Sequence, residues 1–118
     1  RFFLDIAPKA QGRPRAGVLN GRAVIYDPPT SRKYKQLVRE KLEEVAPEEK
    51  FSGAIAVNFV FHMPIPKYLK NKVKHGEPHL VKPDLDNLIK AVKDALTGTI
   101  IVDDKAIYCY KKDTKKIY

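Results

Sequence analysis

Residues 84–98, "DLDNLIKAVKDALTG", constrain the fold of this chain more than any other stretch. Leu85, Leu88, Ile89, Val92, Ala95 and Leu96 recur at the spacing of one helical face, and Gly98 follows as a left-handed stop. β-forming runs lie on both sides. Upstream, "SGAIAVNFVFHMP" sets Ile55, Val57, Phe59 and Phe61 at period two, the mark of a largely buried strand. Downstream, "TIIVDDKAIYCYKKD" surrounds Asp103-Asp104 with β-branched and aromatic residues, giving two strands or one strand with an acidic interruption.

The remaining elements follow from local signals. "RFFLDIAPK" reads as a short strand ended by Pro8, and Asn20-Gly21 is a hairpin turn leading into a strand over Ala23 to Tyr26. From Ser31, read as an N-cap, Tyr34, Leu37, Val38, Leu42 and Val45 line a second helical face that Pro47 closes. The expectation is an α+β fold in which a small mixed β-sheet packs against two principal helices. At 118 residues the chain fits a single domain over 1–118 with one core.

Charge narrows the partners. Lys and Arg number 23 against 14 Asp and Glu, a formal net charge of +9, which favours a polyanion such as nucleic acid or an acidic membrane face. Lys9, Arg13 and Arg15 fall in an early loop without acidic neighbours. Lys67, Lys70, Lys72, Lys74 and Lys82 crowd a Pro- and Gly-punctuated surface loop that holds Glu77 alone. With the tail lysines Lys111, Lys112, Lys115 and Lys116 they form basic surface suited to phosphate, positioning a nucleic acid without reading its sequence. The single cysteine, Cys109, rules out an internal disulfide and a thiolate zinc cage, so a metal would need oxygen or imidazole ligands. His62, His75 and His79 lack the surrounding pattern of a zinc site. No apolar run reaches membrane-span length and no secretory layout opens the chain, so a soluble cytoplasmic protein is expected. The first residue is Arg1, not Met, which leaves room for an upstream segment.

Asp84 and Asp86 open the second helix of this basic chain. Helix-start carboxylates accept hydrogen bonds from free N–H groups and favour the positive dipole end, and Lys90 stands at ion-pair spacing from Asp86. A structural role therefore explains them as well, and Asp103-Asp104-Lys105 as a polar turn. Geometry adds a second reading. A helix over 87–97 travels about 16 Å, and a strand over 99–103 would return nearly as far, bringing the later acidic pair back to the first. Three or four carboxylates so gathered would call for a hard divalent cation, first of all Mg²⁺, and an ion ringed by basic loops suits phosphodiester hydrolysis. Lys90, one turn beyond Asp86, would face the reacting phosphate. Side-chain alternation does not choose between Asp103 and Asp104.

"KPDLDNLIKAVKDALTG" followed by "VDDKAI" resembles the signature of the RusA family of Holliday-junction resolvases, and "PKAQGRPR" is similar to the family's early basic segment. The resemblance implies a small dimeric endonuclease of bacterial, phage or prophage origin, dependent on Mg²⁺ with Mn²⁺ as a substitute. It would cut branched DNA, four-way junctions above all, in recombination and repair. It further implies Asp84, Asp86 and Asp104 as metal-binding carboxylates and Lys90 as the essential lysine, so the choice of Asp104 over Asp103 rests on it alone. Ile101 departs from the aromatic residue often found there in the family. The rival from another class is a non-catalytic basic module that binds DNA or RNA, its aspartates serving only as cap and turn.

Overall fold

The structure is a computed structural model that describes residues 1–10, 15–26 and 29–118. Its elements give an α+β fold. β1 (Arg15–Leu19) and β2 (Arg22–Tyr26) pair antiparallel across Asn20 and Gly21, both at positive φ (52° and 76°). Positive φ at both central residues matches the right-handed twist of the two strands, which is why Asn-Gly closes so tight a hairpin. The strand expected within residues 1–8 does not form. Leu4 and Ile6 are instead half-buried against the core, and the backbone turns as Ile6 N–H donates to Leu4 C=O at 3.0 Å. Among the described residues no strand pairs with this segment, which is held by that side-chain burial and by a backbone hydrogen bond at Lys9 with the Tyr34 hydroxyl.

The first helix, α1 (Pro29–Val45), begins two residues before Ser31, because Pro suits the first helical position where its missing N–H costs nothing. Ser31 is buried inside the first turn and is not its cap. Tyr34, Val38 and Leu42, four residues apart, are buried, whereas Leu37 and Val45 are each 43% exposed. The apolar stripe is thus narrower than the sequence pattern. The second helix, α2 (Leu85–Leu96), buries Leu88, Ile89, Ala91, Ala95 and Leu96. The helices are tied by an ion pair from Lys35 to Asp94 (2.9 Å) and by the Arg39 guanidinium donating to Thr97 C=O (2.8 Å).

The single strand expected across 55–61 is split into β3 (Ile55–Val57) and β4 (Val60–His62). They pair in parallel with β5 (Ile107–Tyr110) and β6 (Lys115–Ile117) respectively, and with the β1–β2 hairpin make three two-stranded sheets. At the break, Phe59 N–H donates to Thr114 Oγ1 at 3.2 Å, so a hydroxyl replaces the ladder partner. Parallel pairing requires a long crossover, and α2 lies within it. Period-two alternation survives: Phe59 and Phe61 are buried, while Ala56, Asn58 and Val60 are exposed, so only one face of this strand enters the core.

After α2 the chain does not return at once. Gly98 takes φ +83°, and Ile100 and Ile101 N–H groups donate to Leu96 C=O at 3.1 and 3.2 Å. Thr99 adds its hydroxyl to Ala95 C=O at 2.7 Å. Residues 99–101 therefore wrap the helix end and satisfy carbonyls that would otherwise lack partners. The returning strand is β5, which starts only at Ile107.

Candidate active site

Asp84 is the N-cap residue of α2, with extended backbone (φ −68°, ψ 148°), and it follows the cis Lys82–Pro83 peptide. Its carboxylate makes no capping hydrogen bond. Asp86 lies in the first helical turn, where the positive dipole end favours an anion. Both are exposed, and neither carboxylate has a hydrogen-bond or ion-pair partner among the described residues; the surface pair expected from Asp86 to Lys90 is not formed. The capping explanation thus fails for Asp84.

Beside Asp86 runs a cleft of about 200 Å³ lined by Asp86, Ile89, Lys90, Lys93 and Tyr110. Ile89, Lys90 and Lys93 lie three, four and seven residues past Asp86, which is one face of the helix. Tyr110 closes the other wall, at the end of β5. Its ring sits 6.2 Å from that of Phe59, and Lys93 Nζ stands 6.0 Å from its centroid. A carboxylate, two ammonium groups and an aromatic wall in one cleft suit a phosphate with a sugar or base beside it. Lys93 and Tyr110 were not singled out for this site by the sequence. Helical spacing from Asp86 offered a signal for Lys93; nothing local offered one for Tyr110.

The later acidic pair is placed elsewhere. Asp104 opens a short 3-10 turn (Asp104–Ala106), and its N–H donates to Thr97 Oγ1 at 3.1 Å, beyond the last turn of α2. Asp86 and Thr97 are eleven positions apart, about 16 Å of helix rise. No group of three His, Cys, Asp or Glu side chains close enough to hold a metal ion occurs among the described residues. The expected return over 99–103 fails because those residues turn around the helix end. The donor chemistry of Asp84 and Asp86 fits a hard divalent cation, since both offer unpartnered carboxylate oxygens; the complete set of Asp84, Asp86 and Asp104 is not gathered within one chain.

Asp103 differs from its neighbour. Its carboxylate accepts from Lys105 N–H at 3.0 Å and lies 3.8 Å from Lys105 Nζ. The Lys105 N–H above all holds the Asp103 carboxyl below the usual carboxylate range. Asp103 is therefore committed to shaping the turn.

The basic loops are partly described. Lys9 is exposed, on a segment whose backbone hydrogen-bonds the Tyr34 hydroxyl; Arg15, expected in a loop, instead opens β1 because it pairs with Tyr26, and its side chain, like Arg13, lies outside the described residues. Lys67, Lys70 and Lys74 line a larger cavity of about 580 Å³ with Ile65, Val73 and His75. It contains no carboxylate, so the smaller cleft at Asp86 is the better candidate for chemistry and the larger one for holding a backbone. Lys72 and Lys82 are exposed outside both cavities.

His79 is buried, 7% exposed, with its ring 4.9 Å from that of Tyr118 and, among the described residues, no hydrogen-bond partner for Nδ1. Burial first, and the nearby Lys116 charge second, push its pKa below the ordinary imidazole value. Unfolded, the same side chain titrates near 6.5 and takes up a proton more readily than the folded one. Stability from this group is therefore complete above about pH 6.5 and is lost as pH falls from there through the folded pKa. Melting temperatures at pH 7.5 and 5.5 should show a larger acid-side fall for the wild type than for His79→Phe; equal falls would exonerate His79.

The family model for endodeoxyribonuclease RusA matches residues 5–117. The chain is also similar to an uncharacterized protein, YqaN, of Bacillus subtilis strain 168, with 36% identity over 114 residues covering 91% of this chain and 80% of the relative. No solved structure matches it.

Proposed function

The chain belongs to the RusA family of endodeoxyribonucleases, and on that premise we propose that it resolves Holliday junctions and related branched DNA by Mg²⁺-dependent paired cleavage. The observation that carries the proposal is the N-terminal end of α2. There two unpartnered carboxylates, Asp84 and Asp86, adjoin the Lys90–Lys93–Tyr110 cleft in a chain of net charge +9. Among the described residues, no helix is long and apolar enough to cross a membrane. Action on DNA in a bacterial or phage-infected cytoplasm is part of the proposal.

Asp84 and Asp86 would hold the cation, Mg²⁺ or in its place Mn²⁺, with Asp104 as the third carboxylate. The chemistry such an ion supplies is Lewis-acid activation of water and neutralisation of charge at the phosphate. Lys90 and Lys93 would bind the phosphate from the cleft side and oppose the charge that develops on its oxygens. Tyr110 would pack against the adjacent sugar or base. Lys67, Lys70 and Lys74 would grip a DNA arm through its backbone, and Lys9, Arg13, Arg15, Lys72 and Lys82 would extend that basic surface. Because Asp104 stands at the opposite end of α2 from Asp86, the third carboxylate is expected from a partner chain, which makes a homodimer part of the same proposal. Two-fold symmetry would also present two sites to the two equivalent strands of a junction.

The test pairs a labelled four-way junction with a matched linear duplex, each in Mg²⁺ and in EDTA. Symmetric nicks in the junction alone, dependent on Mg²⁺, are the expected result. Salt-sensitive binding by folded protein without nicks would favour the non-catalytic module.

A further inference from the structure

The tail lysine Lys116 is half-buried and is not the freely solvated side chain that the sequence pattern suggests. It lies on β6, level with Phe61 of β4, and its ammonium donates to Val81 C=O and to Pro83 C=O, both at 2.6 Å. The Pro83 carbonyl belongs to the peptide whose nitrogen is that of Asp84. One side chain thus fixes the peptide plane entering the N-cap of α2. The surrounding loop is stitched to the same strand: His79 N–H donates to Lys116 C=O (3.2 Å), Gly76 N–H to Tyr118 C=O (2.6 Å) and Tyr118 N–H to Glu77 C=O (2.9 Å). These backbone bonds stop at His79. Between there and the helix, Lys116 supplies both hydrogen bonds shown for Val81 and Pro83.

Charge strengthens the clamp, since hydrogen bonds from an ammonium are shorter and about twice as strong as neutral ones. His79, the titratable group beside it, is held toward its neutral form and does not add a second cation. Asp84 has no capping bond of its own, so its backbone orientation is set from behind and its carboxylate is left for other partners.

We propose that Lys116 is a positioning residue for Asp84, acting through the carbonyls of Val81 and Pro83. The assignment rests on the nuclease function proposed above. Its test uses Lys116→Met, which keeps length but removes charge and donors, and Lys116→Arg, which keeps both. Under single-turnover conditions with junction saturated, Lys116→Met should cut about ten- to a hundredfold more slowly, the scale on which misplacing a reacting group by about 1 Å is felt. Its junction affinity should stay within about threefold with an unchanged salt slope, and Lys116→Arg should recover most of the rate. Amide hydrogen exchange at Leu88, whose N–H donates to Asp84 C=O at 3.2 Å, should quicken in Lys116→Met while Val38 and Leu42 in α1 keep their protection. Wild-type cleavage by Lys116→Met would overturn the proposal, and so would a defect confined to affinity with the salt slope reduced by about one, which marks a phosphate contact. Unchanged exchange at Leu88 would overturn it too. A wild-type protein that cuts no junction would defeat the nuclease function, and the exchange measurement would still decide whether Lys116 holds this segment.

Discussion

Asp84→Asn should leave the protein folded and bound to a four-way junction but unable to cut it. The residue is exposed at the N-cap and makes no capping hydrogen bond. Its loss therefore removes no packing, and the stability change should lie within about 0.5 kcal/mol, as for surface positions generally. What the substitution removes is a negative charge and one carboxylate oxygen at nearly constant shape. If the carboxylate helps hold the ion, cleavage should fall by at least about a thousandfold, or ~4 kcal/mol of barrier at about 1.4 kcal/mol per decade. Binding should persist or tighten, because a charge that repels phosphate has gone. A gel-shift titration beside a single-turnover cleavage assay separates the two effects. An Asp84→Asn protein that cuts at the wild-type rate would sink the catalytic assignment and leave the binding module standing.

Leu88→Ala should have the largest effect on stability. Leu88 is 0% exposed, on the face of α2 that packs against α1 and the buried side of the strands. Truncating a fully buried leucine costs about 2–5 kcal/mol, the lost transfer energy plus the cavity left behind. That is a large share of the roughly 5–15 kcal/mol by which domains are stable, and it should lower the melting temperature on the order of 10–20 °C. Urea denaturation is the direct measurement. Leu37→Ala is the control: Leu37 falls on the apolar face of α1 by sequence pattern, yet is 43% exposed, and should lose less than about 1 kcal/mol. Equal losses at the two positions would mean that the packing around α2 is misassigned.

These two substitutions probe the two things α2 does. Its buried face joins the helices, and its N-terminal end presents Asp84 and Asp86. A destabilised Leu88→Ala protein assayed below its melting temperature should retain junction cleavage, whereas Asp84→Asn should lack it at every temperature.

The parts of this protein that were legible in the sequence are those governed by neighbours along the chain. The spacing of Leu85, Leu88, Ile89, Ala95 and Leu96 defines α2 because residues three and four apart share a helical face. Asn20-Gly21 closes the hairpin and Gly98 ends the helix because each conformation depends on backbone freedom at one or two residues. The motif beginning at Asp84 and the net positive charge pointed to the family and to a polyanion in the same way. The tertiary structure alone decided which side chains meet. β5, not residues 99–103, returns alongside α2, so Tyr110 reaches the Asp86 cleft while Asp104 stays at the far helix end. Lys116, one tail lysine among several, binds the carbonyls of Val81 and Pro83 because β6 pairs with β4 and brings it beside them. Such contacts join residues tens of positions apart, where chain spacing carries no distance information and the position of each partner is set by how strands pair and which carbonyls remain to be satisfied.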